Sequence, residues 1–440
     1  MKKSILLSII FLSAFVQLSL SDNPIKPYVG MADPHIFIFE NKAYLFSTRD
    51  IDSTVHKFVM PEWNIWSSDD LVKWKHERTL FPKDTYMGVS NNCWATDHAF
   101  KNGKYYFYFS NGNVNTGVMV ADSPAGPYKD VLGKPLLDVD LTSTKEYDPS
   151  VLIDDDGKAY LIFGHYRKTE PALKYYIVDL NEDMISFSGQ PKLVEIIGDA
   201  NVLTGNDKPN LHKRNGIYYL SAGTHYATSK SIYGPYARVG STGNGIYGLD
   251  SRAHGNFFEW KNQWFQTWCN FHLGKEVAHY RESYITYLHY KDNGEMIADT
   301  TFLKKHFKTG VGQFNAKWDK IEAEWYMAAT NVEKRDKKSG GFEIQNINSK
   351  STLCYPNIEG LAKSSKISFS VSTQVSGKIN IYSDTDRTKL LASVKVPKST
   401  SKAYIVVNAK LKNHSNAKGI CLTFEGKGKD LMHLDWLKFD

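Results

Sequence analysis

The amino-acid sequence predicts an all-β protein in which a five-bladed β-propeller is followed by a β-sandwich (jelly-roll) domain. Helical spacing of apolar residues is scarce, whereas short strand-like runs bounded by Gly, Asn and Asp recur along the 440 residues. Five segments resemble one another and begin about 50 to 60 residues apart, which leaves room for four strands in each. Radial repetition of four-stranded units is typical of a β-propeller.

Each repeat has a polar start, a short strand, a turn rich in Asn, Asp and Gly, and an aromatic strand. The turns Asn102-Gly103-Lys104, Asp156-Gly157-Lys158 and Asn215-Gly216-Ile217 predict hairpins, because Asn and Gly tolerate positive φ. The five repeats are "ADPHIFIFENKAYLFST" from Ala32, "ATDHAFKNGKYYFYFSNG" from Ala95, "YDPSVLIDDDGKAYLIFG" from Tyr147, "NDKPNLHKRNGIYYLSAG" from Asn206 and "SRAHGNFFEWKNQWFQTW" from Ser251.

Four parts of the chain are predicted. Residues 1–21 have two lysines, an apolar run and small residues before Asp22, a pattern typical of a signal peptide, so we expect an exported protein. Residues 22–303 form the propeller, 304–317 a basic linker, and 318–440 the sandwich, where short alternating strands such as "KISFSVST" and "KINIYSD" replace the repeats. No later apolar run is long enough for a membrane-spanning helix.

The charge and cysteine content narrow the class of protein. The formal net charge is +7, with basic residues scattered among acidic ones, which indicates a solvated surface rather than a nucleic-acid-binding patch. The four cysteines are too few for a disulfide framework in so long an exported chain. Buried free thiols are expected, and a pair within Cys93 and Cys269 or within Cys354 and Cys421 is the alternative. The protein is expected to act as a monomer.

The repeat starts carry the candidate functional residues. Innermost strands of a propeller line its axis, so Asp33, Asp97, Asp148, Asp207 and His254 are predicted to converge at one face. Three interpretations stay open: the aspartates cap turns, they bind a hard cation such as calcium, or they catalyse glycoside hydrolysis with one carboxylate as base and one carboxylic acid as proton donor.

The order of the repeat motifs resembles glycoside hydrolase family 43, a family of five-bladed propellers, from Pro27 to about Met296. The motifs that carry the resemblance are "ADPHIFIFENKAYLFSTRD", "SSDDLVKW", "WATDHAFKNGKYYFYFS", "ADSPAGPYKD", "YDPSVLIDDDGKAYLIFG" and "KPNLHKRNGIYYLS".

The resemblance implies an inverting glycosidase with three acidic residues. Asp33 would be the general base, and Asp148 the third carboxylate, which raises the pKa of the general acid and orients it. The general acid of the family stands in a Glu-x-Pro motif, and that register here contains Asp207-Lys208-Pro209. Aspartate in place of glutamate is a departure, since its side chain is one methylene shorter. We expect Asp207 to be the acid, with loss of the acid as the alternative.

Three further residues match positions of the family. Trp94 would form part of the sugar subsite and Arg281 would reach the bound sugar, with core packing and a surface position as their respective alternatives. His254 resembles a histidine near the central channel that helps hold calcium or ordered water.

The tail resembles a family 6 carbohydrate-binding module, from "IEAEWY" to "LDWLKFD". The resemblance implies that Glu322, Glu324 and Asp435 hold a structural calcium ion. The usual sugar-binding aromatic is replaced by the stretch Leu353 to Tyr355, so a packing role for the module is also open.

The expected function is hydrolysis of a pentose-containing polysaccharide or oligosaccharide, of the β-xylosidase or α-L-arabinofuranosidase type. An exo-β-1,3-galactosidase or another specificity of the same family is one alternative. A non-catalytic carbohydrate-binding protein on the same scaffold is an alternative of a different class.

Overall fold

The structure, a computed structural model, confirms an all-β chain. It describes residues 23–51, 57–164, 174–198, 203, 208–243, 254–271, 279–373, 375–399 and 403–440. The predicted signal peptide lies outside these ranges. The α-helix α1 spans Thr300–His306, and short 3-10 turns occupy Pro82–Asp84, Phe307–Thr309, Ala323–Trp325 and Leu361–Lys363. No helix in the described ranges is long and apolar enough to cross a bilayer.

The first two blades are antiparallel sheets built on the first two repeats. Blade 1 has the order β1-β2-β3-β4, and blade 2 the order β5-β6-β7, with isolated bridges from β7 to Lys129 and Leu137 at its outer edge. The strands are β1 Met31–Phe39, β2 Lys42–Arg49, β3 Trp63–Ser68, β4 Lys75–Leu80, β5 Cys93–Lys101, β6 Lys104–Asn111 and β7 Asn115–Ala121.

The other three blades follow the remaining repeats. Their orders are β11-β10-β9-β8, β12-β16-β15-β14-β13 and β17-β18-β19-β20, and β12 is parallel to β16. The strands are β8 Ser150–Ile153, β9 Ala159–Phe163, β10 Tyr176–Leu180, β11 Phe187–Leu193, β12 Ile196–Ile197, β13 Pro209–Arg214, β14 Ile217–Ala222, β15 His225–Ser229, β16 Tyr236–Ser241, β17 Phe257–Trp260, β18 Gln263–Phe271, β19 Arg281–Tyr290 and β20 Met296–Ala298.

The hairpins of the repeats are turns that demand positive φ. Asn102 and Gly103 have φ of 53° and 73°, and Asn215 and Gly216 have φ of 50° and 75°. Positive φ at both central residues is the type I′ pattern, whose twist matches that of the flanking strands. The predicted hairpins at these turns are confirmed by the pairing of β5 with β6 and of β13 with β14.

The ring closes between blade 5 and blade 1. Strand β1 contacts β17, β18 and β19. The side chain of Asn23 adds two bonds to β19, because it accepts from the N–H of Ile285 at 3.0 Å and donates to the carbonyl of the same residue at 2.9 Å. The segment ahead of β1 is therefore fastened to the last blade.

The C-terminal part is a β-sandwich of two packed sheets. One has the order β24-β25-β33-β28-β31, with β22 paired to β33, and the other has the order β23-β26-β32-β29-β30; β21 pairs with β27. The strands are β21 Phe314–Asn315, β22 Ile321–Glu322, β23 Ala328–Thr330, β24 Glu333–Asp336, β25 Phe342–Gln345, β26 Thr352–Tyr355, β27 Ile358–Glu359, β28 Lys366–Ser372, β29 Gly377–Ser383, β30 Leu390–Val396, β31 Ile405–Lys410, β32 Ile420–Gly426 and β33 His433–Phe439.

Two cysteines of the sandwich form a disulfide, so the expectation of four free thiols is wrong there. Cys354 on β26 and Cys421 on β32 are directly paired across the two strands and are bonded. Strand pairing brings together residues 67 positions apart in sequence, a proximity that spacing alone does not reveal. Cys93 and Cys269 are free and buried, as expected.

The two domains share one hydrophobic core and several polar contacts. Buried residues of blades 1 and 5 cluster with those of the sandwich. The Gln263 side chain donates to the carbonyls of Glu324 and Tyr326 at 2.7 and 2.8 Å. Lys334 lies beside His289 at 2.8 Å, and Asp299 accepts from His289 and from Trp325. The sandwich is thus packed directly onto blade 5.

Candidate active site

One hydrogen bond recurs between the innermost strands and defines equivalent positions in the blades. The N–H of Val151 donates to Asp97 at 3.1 Å, that of Leu211 to Ser150 at 3.2 Å, and that of Ile36 to Asn256 at 3.0 Å. In each case a polar side chain of one blade accepts from the N–H of an apolar residue on the inner strand of the next blade. The register of the inner strands is therefore fixed by side-chain to main-chain bonds.

A second set of equivalent residues precedes these hydrogen-bond acceptor positions by two residues in sequence. We call this set the axial slots. Counting from these bonds, the slots of blades 1 to 5 hold Asp33, Ala95, Asp148, Lys208 and His254. Pro34, Pro149 and Pro209 follow three of them, which supports the same register. Asp97 lies two residues beyond its slot, so the predicted alignment of Asp97 with Asp33 is wrong.

Four of the five slots, all except that of Lys208, open into a cavity of about 480 Å³. Asp33, Ala95, Asp148 and His254 line it, together with Trp94 and Arg281. Phe58, Tyr147 and Phe271 add aromatic walls. A concave site with aromatic walls and a few convergent polar groups suits a sugar ring, because apolar ring faces stack on aromatic side chains while hydroxyls bond the polar groups.

Asp33 is a buried carboxylate held by three donors. Its Oδ1 accepts from Nη1 of Arg281 and Nδ1 of His254, each at 2.8 Å, and its Oδ2 accepts from the Thr48 hydroxyl at 2.8 Å. Burial by itself would raise the pKa of Asp33, but the charge of Arg281 and the bond from His254 outweigh it and hold that pKa well below its usual range. Asp33 is therefore ionised at neutral pH and can accept a proton from water.

A second carboxylate, Asp50, orients Arg281. Both Asp50 oxygens accept from the guanidinium, at 2.9 Å from Nε and 3.0 Å from Nη2, and Oδ2 also accepts from the Arg281 N–H at 2.8 Å. The bidentate pairing fixes the plane of the guanidinium. Arg281 also stacks on the Phe58 ring, 4.7 Å from its centroid. The arginine predicted to reach sugar thus lies in the cavity with Asp33 and Asp50 as its partners.

Asp148 has the same backbone conformation as Asp33. Their φ angles are 60° and 50°, in the left-handed region that non-glycine residues seldom occupy. Both side chains are 2% exposed or less and line the same cavity. The N–H of Asp148 donates to the Ser110 hydroxyl at 3.0 Å. Such backbone strain concentrates at functional sites, where surrounding contacts over-determine the conformation.

Asp207, the predicted general acid, lies outside the described residues. The next residue, Lys208, is described, and it occupies the axial slot of blade 4 with 3% of its surface exposed. Its ammonium lies 3.9 Å from Asp97 Oδ2.

Trp94, which is predicted to form part of the sugar subsite, lies in the wall of the cavity. Its ring contacts Phe58 and Tyr147 edge to face, at centroid distances of 5.7 and 6.0 Å. The ring is partly exposed, although its Nε1 is buried. The arrangement leaves apolar ring surface toward the cavity, as stacking on a sugar would require.

Three of the four predicted calcium ligands have other partners in the structure. His254 bonds Asp33, Lys320 pairs with Glu322 at 2.7 Å, and Lys337 bonds Asp435. Within the described ranges, no three His, Cys, Asp or Glu side chains form a group that could hold a metal ion. Glu324 alone fits a cation ligand, because its buried Oε2 has no hydrogen-bond partner among the described residues.

Sequence reasoning missed several residues of the site. Asp50, Thr48 and Cys269 all contact Asp33 or Arg281 but come from the ends of strands or the segments after them, away from the repeat starts. Lys208 could have been found by aligning the repeats on their prolines, because Lys208-Pro209 then matches Asp33-Pro34 and Asp148-Pro149.

Comparison with known proteins decides the family. Residues 21–296 match Glycosyl hydrolases family 43, and residues 322–440 match Carbohydrate binding module (family 6). The chain belongs to glycosyl hydrolase family 43. It is therefore a glycosidase, and its catalytic domain is the five-bladed propeller typical of the family.

Three relatives extend the comparison of this family 43 enzyme. An arabinoxylan arabinofuranohydrolase of Paenibacillus polymyxa is 27% identical over 95% of this chain and 74% of its own. The structure of an arabinoxylan arabinofuranohydrolase from Bacillus subtilis with cellotetraose covers 95% of this chain and 97% of its own, with a TM-score of 0.57 and 23% identity, which shows the two-domain fold.

The third relative covers the propeller region. A family 43 β-xylosidase/α-arabinofuranosidase from a compost microbial metagenome, in complex with xylotriose and in a calcium-free form, has a TM-score of 0.55 and 26% identity. It covers 63% of this chain and 96% of its own.

Proposed function

We propose that this family 43 enzyme removes α-L-arabinofuranosyl groups from arabinoxylan with inversion of the anomeric carbon. The observation that carries the proposal is the match of both domains, over 95% of the chain, to an arabinoxylan arabinofuranohydrolase. The site supports it: Asp33, which is ionised at neutral pH, lies at a cavity wall where a water molecule can approach a sugar held on Trp94.

The proposed mechanism assigns one role to each carboxyl group. Asp33 takes a proton from the water that attacks the anomeric carbon. Asp207 gives a proton to the departing glycosidic oxygen, and Asp148 raises the pKa of that acid through its negative charge. Of the two Asp33 oxygens, Oδ2 accepts only from Thr48 among the described contacts, so Oδ2 is the oxygen that receives the proton.

A second candidate substrate is a β-xyloside. The likeness to the β-xylosidase/α-arabinofuranosidase structure with xylotriose favours it, since that protein covers the propeller where the cavity lies. The two specificities differ in the product released from one polymer: arabinose without shortening of the xylan chain, or xylose from its ends.

The experiment is incubation with arabinoxylan, xylotriose, β-1,3-galactan and the aryl glycosides of arabinofuranose, xylose and galactose. Products are identified by anion-exchange chromatography, and the anomer first released is read by proton NMR. Arabinose from arabinoxylan with inversion supports the proposal. Xylose alone, galactose alone or retention would refute it. Binding of arabinoxylan by calorimetry without any product would favour a non-catalytic protein.

We also propose that the enzyme is exported and monomeric. The signal-peptide pattern of residues 1–21 and the Cys354–Cys421 disulfide support export, because structural disulfides persist in oxidising compartments. Fractionation of expressing cells, with N-terminal sequencing of the mature chain, tests this; a cytoplasmic chain with residue 1 intact would refute it. Light scattering should give the mass of one chain.

We propose calcium as a structural ligand of the C-terminal domain, with Glu324 as its first ligand. The buried, unpartnered Oε2 of Glu324 supports this, and Asp435 would join after release of Lys337. Calorimetry with calcium and with a chelator provides the test. The ion should raise the unfolding temperature of the wild type but not of E324Q, and an unchanged wild-type temperature would refute the proposal.

A further inference from the structure

Lys208 is a buried cation on the axis of the propeller. Only 3% of its surface is exposed, and it stands in the slot of blade 4 that corresponds to Asp33 in blade 1 and Asp148 in blade 3. Lysine is almost never fully buried unless it is paired, because its charge loses hydration. The burial of this charge therefore requires nearby negative charges that compensate for the lost hydration.

The neighbours of the Lys208 ammonium are acidic. Its Nζ lies 3.9 Å from Asp97 Oδ2 and 3.4 Å from the carbonyl oxygen of Pro209. Asp97 is itself fully buried and accepts from the N–H groups of His98 at 2.7 Å and Val151 at 3.1 Å, as well as from Ser150. Among the described residues, the ammonium thus has one carboxylate partner, at a distance longer than a direct hydrogen bond.

The charge of Lys208 also reaches the candidate catalytic carboxylates. Burial lowers the pKa of Lys208, whereas the negative charges of Asp97, Asp148 and Asp33, in that order, oppose this. His35, packed on the same axis, bonds the Asp33 carbonyl at 3.0 Å, and its pKa is lowered by burial and by Lys208. Asp33 and His35 from β1, Asp97 from β5, and Asp148 ahead of β8 are therefore the titratable groups that share its field.

We propose that Lys208 is a positioning residue for the hydrolytic reaction, a built-in counter-ion that stabilises the ionised carboxylates of Asp97, Asp148 and Asp33 together on the axis. It acts through these groups, since it is enclosed behind the cavity and is not among the residues that line it. The inference rests on the proposed hydrolytic function.

The test uses the full chain with K208M, which keeps the length of the side chain and removes its charge. Loss of a nearby positive charge raises the pKa of each carboxyl group. Both limbs of the kcat/KM against pH profile should therefore move to higher pH, by about one unit. At a fixed pH on the acidic limb kcat/KM should fall about tenfold, because a rise of one unit in the pKa of the base leaves about one tenth as much of it ionised there. K213M is the matched control: Lys213 lies on β13, which begins directly after Lys208, it pairs with Asp154, and its loss should leave the profile unchanged.

A second readout is independent of activity. Without Lys208, buried Asp97 has a higher folded-state pKa, so the folded state binds more protons than the unfolded state above pH 4 or so. The loss of unfolding temperature in K208M, relative to the wild type, should hence be larger at pH 7 than at pH 4. An equal loss at both pH values would contradict the counter-ion role.

A third pair of variants removes the contribution of Asp97. D97N/K208M removes both charges of the buried pair, so it should fold even where K208M does not, and D97N, which keeps Lys208, is its reference. If Lys208 acts on the catalytic carboxylates, both limbs of the kcat/KM against pH profile should lie at higher pH in the double variant than in D97N. On the acidic limb the double variant should then have the lower kcat/KM. Identical profiles of the two would overturn the proposal. An inactive wild type on every substrate would instead refute the proposed function, while the unfolding measurement would still decide the role of Lys208.

Discussion

Arg281 donates from Nη1 to Oδ1 of Asp33 at 2.8 Å and is fixed from behind by both oxygens of Asp50. The arginine is 7% exposed, so water screens this pairing little. The structure therefore couples the protonation state of the candidate base to one guanidinium.

Removal of the guanidinium should raise the pKa of Asp33. In R281M, burial is no longer opposed by the charge of Arg281, so the acidic limb of the kcat/KM profile should move to higher pH by about one to three units. The control is R49M, which breaks a half-exposed pair with Glu62 in the same blade and should not move the limb. An acidic limb that stays in place in R281M would contradict the coupling.

The same pairing makes a prediction about stability in acid. Because the folded-state pKa of Asp33 is depressed, its contribution to stability is present above its unfolded pKa and is lost as pH falls below that value. R281M should therefore lose stability relative to the wild type at pH 7 and approach it at low pH, in urea titrations at several pH values. A constant difference between the two proteins would contradict this sign.

Neutralisation of the base should abolish turnover without unfolding the chain. D33N keeps the size of the side chain and one acceptor oxygen but cannot take a proton, so kcat should fall at least about a thousandfold. Circular dichroism should be unchanged. Turnover within a few fold of the wild type would exclude Asp33 as the base.

The assignment of Asp207 can be tested with substrates of different leaving groups. D207A should lose most activity on arabinoxylan but retain much of it on an aryl glycoside with an acidic phenol, because a good leaving group needs little protonation. D155A, which removes an exposed aspartate, is the control. An equal loss on both substrates would argue that Asp207 is not the acid.

Lys334 at the domain interface should titrate near neutrality. Burial lowers its pKa to about 7, although Glu324 and Asp299 oppose this, and its Nζ lies 2.8 Å from His289 Nδ1. Between pH 7 and 10 the unfolded lysine is protonated and the folded one largely is not, so the free energy of unfolding should rise with pH, by up to about 1.4 kcal/mol per unit. K334M should lack this rise, and a parallel slope in the variant would contradict the prediction.

The local signals of the sequence were strong enough to predict the strands, the hairpins and the propeller. Asn-Gly pairs such as Asn102-Gly103 encode a turn within a few residues, and their positive φ follows from side-chain sterics. Because the hairpin pattern occurs in five successive repeats, it also predicts the five-bladed propeller. The convergence of Asp33, Asp148 and His254 on one cavity followed from the same repetition.

The remaining features depend on contacts between distant residues. The pairing of Cys354 with Cys421 is set by the register of β26 against β32, which no local pattern specifies. Asp50 becomes part of the site only because β19 brings Arg281 beside it, 231 residues away in sequence. The burial of Lys208 beside Asp97 likewise depends on the packing of two inner strands that are distant in sequence.

The bonds from Asp97, Ser150 and Asn256 to the neighbouring blades separate two tasks along each inner strand. The acceptor position fixes the register between neighbouring blades, and the slot two residues earlier supplies the residues of the candidate active site. Exchange of a slot residue leaves this register intact, and the slots of this chain already hold an alanine, a lysine, a histidine and two aspartates. In such a scaffold single substitutions can change the reaction while the fold is kept. The five slots are therefore separate positions at which evolution or protein engineering can act.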